Sequence, residues 1–160
     1  MDILRNLLTA AVILFLSSVI LATPVDTAWD LLYAVENRDG QWFFNLMSES
    51  LRTQIETRIE QIKELAETNS GLIDEFLYNA GLPISAYDLQ WMSSSDFISA
   101  VLANTCIPPL GNIVSEEASM NGRNATVSFK WSSGYSLDLQ VVWEESSWKV
   151  TGSSILGQLF

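Results

Sequence analysis

The stretch "NATVSFKWSSGYSLDLQVVWEESSWKV", Asn124 to Val150, decides the fold. Large apolar residues alternate in it with small or polar ones, the period-two signature of strands with one buried face. Ala125, Val127, Phe129 and Trp131 form one apolar row, and Tyr135, Leu137, Leu139, Val141 and Trp143 form the next. The rows share a face only if Trp131 lies opposite Tyr135, across Ser132-Ser133-Gly134 with Gly134 left-handed. Trp143 likewise meets Trp148 across a loop from Glu144 to Ser147.

Just upstream, Asn121-Gly122 is the strongest short hairpin signal in the chain and predicts a two-residue turn pairing Met120 with Arg123. Counting outward, Ala118 faces Ala125, Glu116 faces Val127 and Val114 faces Phe129. The expected apolar face is therefore Val114, Glu116, Ala118 and Met120, the two rows above, Trp148 and Val150. Thr126, Ser128, Lys130, Asp138, Gln140 and Lys149 point the other way. Glu116 is the exception on that face. Burying an unpaired carboxylate is costly, so Glu116 needs a partner, unless a β-bulge or a frayed edge strand turns it to water.

Before these strands the period is helical. Pro24 suits a helix start, and Ala28, Leu31, Leu32 and Val35 recur at three- and four-residue spacing up to a break at Asp39-Gly40. Phe44, Met47, Leu51, Ile55, Ile59, Ile62 and Leu65 predict one long helix from Gln41 to about Thr68. Its opposite face, with Arg52, Glu56, Glu60, Lys63, Glu64 and Glu67, is solvated. Leu72, Ile73, Phe76 and Leu77 mark a short helix closed by Gly81, with Pro83 just beyond. Ser93 caps a further helix carrying Phe97, Ile98, Val101 and Leu102, which Pro108-Pro109 stops. Helices first and strands last predict an α+β domain, its antiparallel sheet covered on one face by the helices.

Composition bounds the chemistry. The chain has 160 residues, one domain's worth, and a net charge of −11. With no basic cluster it is a poor partner for nucleic acid or an anionic membrane surface. It has no histidine and one cysteine, Cys106. That excludes Ser-His-Asp and Cys-His triads, histidine-bearing zinc sites and an intramolecular disulfide. No cofactor or metal site is expected, and Cys106, following an apolar helix, is expected to be a small buried hydrophobe.

The segment "LLTAAVILFLSSVILA", Leu7 to Ala22, is uncharged, preceded by Arg5 and followed by Thr23-Pro24. It has the layout of a secretory signal peptide over residues 1–22, ahead of a single domain from 24 to 160. Export to a periplasmic or extracellular location is the expectation. A retained membrane anchor over 7–22 is the alternative, although sixteen residues span roughly 24 Å of a ~30 Å hydrocarbon core.

Two stretches together resemble a known superfamily. "AWDLLYAVENRDGQWFFNLMSESLR", Ala28 to Arg52, is similar to the opening helices of the cystatin-like superfamily typified by nuclear transport factor 2. The ending, Asn121 to Val150 with its Trp148-Lys149-Val150 strand, resembles the strands of small exported bacterial members. The resemblance implies a strongly curved, cone-like sheet wrapped around helices, often with a pocket. In that superfamily the cone serves isomerases, dehydratases, ligand binders and assembly modules, so fold alone does not choose. Dehydratase-like members use pocket histidines, which this chain lacks, and the acid and tyrosine positions of ketosteroid-isomerase-like members have no residue-by-residue match.

Three functions follow as expectations. The first is a non-catalytic extracytoplasmic module that binds a partner protein or associates with itself. The second is a binder of a small apolar or amphipathic ligand, with Trp29, Trp131, Tyr135, Trp143 and Trp148 lining a pocket over the sheet and Glu116 as polar anchor. The third is a proton-transfer enzyme with Glu116 as general base and Tyr135 as hydrogen-bond donor.

Overall fold

The computed structural model describes residues 22–153; residues 154–160 and all of the expected leader but Ala22 lie outside them. Among the described residues the helices are α1 (Pro24–Glu36), α2 (Gly40–Asn45), α3 (Glu49–Thr68), α4 (Ser70–Asn79), α5 (Ala86–Trp91) and α6 (Ser94–Asn104). A 3-10 turn at Leu110–Asn112 leads into β1 (Ile113–Asn121), β2 (Asn124–Trp131), β3 (Ser136–Glu144) and β4 (Ser147–Ser153). The strands form one curved, unclosed antiparallel sheet in the order β1-β2-β3-β4, and the chain is α+β as expected.

Short-range chemistry explains most helix ends. Thr23 caps α1 in a box with Asp26, and Pro24 takes the first helical position, where no N–H is needed. α4 ends in a Schellman motif: the Gly81 N–H bonds the Tyr78 carbonyl and the Leu82 N–H bonds that of Leu77, with Gly81 left-handed at φ 75°. Ser93 and Asp96 form the box of α6. Helix α5 is one that periodicity did not find. It is too short for an apolar stripe, and its only sequence mark is the capping pair Ser85 and Asp88.

The expected single helix from Gln41 to Thr68 is two helices. Leu46 to Ser48 leave the helical path because Met47 forms a parallel bridge with Val150 of β4. The Val150 N–H donates to the Leu46 carbonyl, and the Ser48 N–H donates to the Val150 carbonyl, both at 2.8 Å. Ser48 then caps α3 through its hydroxyl. The apolar stripe holds across the break, with Phe44, Met47, Ile55 and Ile59 buried, but it closes on Ala66 rather than the exposed Leu65.

Asp39-Gly40 does more than break a helix. Asp39 caps α2 by accepting from the Trp42 N–H at 2.8 Å. Gly40 is buried where α2 crosses α6, and its N–H donates to the Ser99 hydroxyl at 2.9 Å. A Cβ at residue 40 would collide with the Ser95 carbonyl and with Ser99.

Two of the three hairpins keep the expected register. Trp131 pairs with Tyr135 through its N–H, and Gly134 is left-handed at φ 84°. Trp143 lies opposite Trp148, though the strands run on to Glu144 and Ser147 and the turn is only Glu145-Ser146, both at positive φ. The first hairpin differs. Its turn is Gly122-Arg123, with Asn121 opposite Asn124, so Met120 pairs with Ala125, Ala118 with Val127 and Glu116 with Phe129. Gly122, at φ 62°, sits first in the turn, the glycine position of a II′ hairpin. Each pairing is shifted by two residues from the expected one, so the faces are unchanged. Val114 is displaced: it is the extra residue of a bulge between Ile113 and Ser115 and is 66% exposed.

The core lies between the inward rows of β2–β4 and helices α1 and α3. Val127, Phe129, Leu137, Leu139, Val141 and Val150 are fully buried beneath Ala28, Leu31 and Leu32 of α1 and Ile55 and Ile59 of α3. Gly40→Ala is expected to destabilise the chain by about 3 kcal/mol through the α2–α6 crossing. Gly71→Ala, with nothing near its Cβ, is expected to be neutral or stabilising. Urea melts of the two variants check both.

Candidate functional site

The aromatic residues singled out in the sequence fall into two groups at opposite ends of the sheet. In the first, Trp29 of α1 stacks edge-on against Phe129 at 5.2 Å between centroids and leans on Tyr33 at 5.7 Å. Phe129 touches Trp131, which meets Tyr135 edge-on at 5.2 Å. The second is Trp143 against Trp148 at the β3–β4 turn, 5.5 Å apart.

These rings fill space rather than line it. Phe129, Trp131 and Trp148 are buried, Trp29, Tyr135 and Trp143 half-buried, and all are packed into one apolar cluster. Trp131 lies across the chain leaving α6, its indole N–H shared between the carbonyls of Pro108 and Pro109 at 3.2 and 3.1 Å. A buried indole donor needs such a partner, and here both acceptors are backbone.

Glu116 is where sequence and structure meet most closely. It lies on the apolar face as the alternation required, but opposite Phe129 rather than Val127, and it is exposed. Its carboxylate accepts the Trp29 indole N–H at 2.6 Å, a short, charge-assisted bond between the edge strand and α1. Sequence reading named both residues for one pocket but not for each other; two residues 87 positions apart carry no local signal of contact. Tyr135 is not beside Glu116. Two strands and one inward position separate their backbones, roughly 12 Å, and Phe129 and Trp131 lie between.

Around Glu116 the sheet is uncovered. Ala118 and Met120 share its face, yet Ala118 is exposed and Met120 is 61% exposed, because α1 lies over β2 to β4. Further apolar side chains stand free on the helices, notably Leu72 and Phe76 on one face of α4 and Tyr87 and Trp91 on one face of α5, with Trp91 78% exposed.

An open polar groove of about 640 Å³ lies between the start of α3 and the β3–β4 turn, with Glu49, Arg52, Glu56, Arg123, Glu144 and Lys149 on its walls. Three of these charged side chains bond to main-chain groups nearby. Glu144 accepts from the Glu49 N–H at 3.3 Å, Arg123 donates to the Trp143 carbonyl at 2.9 Å, and Lys149 donates to the Asn45 carbonyl at 2.8 Å. Among the described residues no group of three or more acidic or cysteine side chains could hold a metal ion. Cys106, expected in the core, is exposed, because the chain has already left α6 toward Pro108. No described helix is long and apolar enough to cross a membrane.

Two carboxylates beside Trp29 titrate in opposite senses. The Thr23 backbone N–H, then its hydroxyl, holds Asp26 below the usual carboxylate range. Burial pushes Asp30 up, and neighbouring Asp26 adds to it. A raised folded value means the native state holds the proton more readily, so Asp30 costs stability as pH rises from 3.8 through its folded value. Asp30→Asn is expected to be more stable than the parent at about pH 7 by a fraction of a kcal/mol, an advantage lost near pH 3. Thermal melts at the two pH values check it. Trp29→Phe keeps a ring against Phe129 and loses the donor to Glu116, an expected cost of about 1 kcal/mol. Glu116→Ala on top of it should cost little more, since either change alone already removes the one bond the two side chains share.

No protein-family model, no curated protein and no solved structure matches this chain.

Proposed function

We propose that this domain is a non-catalytic interaction or assembly module, exported behind the leader at 1–22. One observation carries the reading. The inward aromatic face is packed into the core, whereas the apolar side chains left over, Ala118 and Met120 on β1 and Phe76 and Trp91 on the helices, are on the surface. Exposed apolar side chains grouped on one face, as Ala118 and Met120 are on β1, mark a contact site where they form a patch. The order of helices before a curved four-stranded meander agrees with what the nuclear-transport-factor-2-like resemblance implies, and membership of that superfamily is part of the proposal.

The two other readings draw less support. A ligand pocket over the sheet needs open space among Trp131, Tyr135, Trp143 and Trp148, which are packed against their neighbours. Proton transfer needs Glu116 and Tyr135 on one substrate, and they stand apart.

The test is a photo-crosslinking amino acid placed at Met120, Phe76, Trp91 or, as control, the exposed polar Gln61 of α3, in the full chain expressed in its source cells. Crosslinks to a protein or to a second copy from the apolar positions, and none from residue 61, are expected. Equal yields at all four positions, or none at any, would overturn the reading.

A further inference from the structure

We propose that the outer edge of β1 is a docking strand for an extended segment of a partner protein that carries lysine or arginine. This deepens the interaction reading and rests on it.

The edge is open, and its direction can be read from the hairpin. Asn121 and Asn124 flank a two-residue turn, which makes them a hydrogen-bonded pair. Stepping by two, Ser119 and Glu117 also bond to β2. Met120, Ala118 and Glu116 therefore turn their N–H and C=O groups away from β2. The next ladder agrees: Trp131 donates to the Tyr135 carbonyl and Trp143 to that of Arg123, so odd positions of β2 serve β3 and even ones serve β1. No other described strand pairs with β1.

The residues with free backbone groups are those whose side chains lie uncovered on the inward face: Glu116, Ala118 and Met120. An added strand would bond to all three and lay its own apolar side chains beside Ala118 and Met120, extending the core row of Ala125 and Val127. The bulge at Val114 ends the straight run, so the site is short. Charge selects the occupant. Glu116 and Glu117 project from opposite faces of the edge, and neither forms an ion pair among the described residues. A strand with a basic residue at that level would meet a carboxylate on either face. A second copy would bring further glutamates to a chain already at −11, and three outward-bonding residues make a short edge against the ~1,200 Å² of a stable dimer. A peptide strand is held mainly by main-chain bonds and needs less area.

The test measures fluorescence anisotropy of the full chain with a labelled peptide of alternating lysine and valine, and with its glutamate–valine counterpart. Ala118→Pro removes an outward N–H and no internal ladder bond, so the fold tolerates it while the edge is blocked. The lysine peptide should bind at least about tenfold more tightly than the glutamate peptide and lose at least about tenfold on Ala118→Pro. Glu117→Lys should reduce the preference. Amide exchange should slow at Glu116, Ala118 and Met120 on binding and stay unchanged at Ser119. The proposal is overturned if the lysine peptide does not bind, or if its binding survives Ala118→Pro, as mere attraction to an acidic chain would. A concentration-dependent dimer abolished by Ala118→Pro would also overturn the basic partner while leaving the interaction reading intact. That reading fails separately, on the crosslinking result.

Discussion

The main-chain clasp between Leu46–Ser48 and Val150 is the interaction on which the rest of the structure depends. Two hydrogen bonds of 2.8 Å tie the helical layer to the outer strand β4, and buried Met47 fills the joint. Because Ser48 is drawn into this bridge, α3 must begin anew at Glu49, with the Ser48 hydroxyl as its cap. The same joint places Glu144 against the first turn of α3, where a carboxylate is favoured by the exposed N–H groups and the helix dipole. Sheet edges are liabilities, and β4 is protected at this point by its own chain.

The other edge has no such protection, and the reason is one of width. Four strands at ~4.8 Å spacing place the outer two roughly 14 Å apart, while a helix is about 10 Å across. With α1 seated over β2 to β4, β1 falls outside its cover. Trp29 reaches that far, and its indole N–H finds the Glu116 carboxylate. That geometry resolves the oddity of a glutamate in an apolar row: its neighbours on β2 are buried, but its own strand is not. The two ends of Trp29 do different work, the ring packing on Phe129 and the N–H holding the edge strand to α1.

Much of the fold was legible because its signals are local. The Trp131–Tyr135 and Trp143–Trp148 pairings follow from turn length and alternation, and Gly134 and Gly81 mark left-handed positions that only a few residue types occupy cheaply. The first hairpin was misplaced by one residue because asparagine-glycine suits a turn at either of two frames, and the face was preserved only because the slip is even. Helix α5 escaped notice since six residues cannot show a helical period. The break at Met47 escaped for a different reason. Nothing near it disfavours helix; the competing bond comes from Val150, about a hundred residues away.

The candidate site shows the same division. By itself the sequence determined which residues of β2 to β4 share a face, how two of the three hairpins pair, and that histidine and paired-cysteine chemistry is absent. These depend on spacing, side-chain volume and composition, all of which are properties of neighbours along the chain. Only the tertiary structure decided that the aromatics are core, that Glu116 answers Trp29, and that β1 carries an uncovered edge. Those outcomes depend on how far a helix extends over a sheet, a distance between elements that no periodicity encodes.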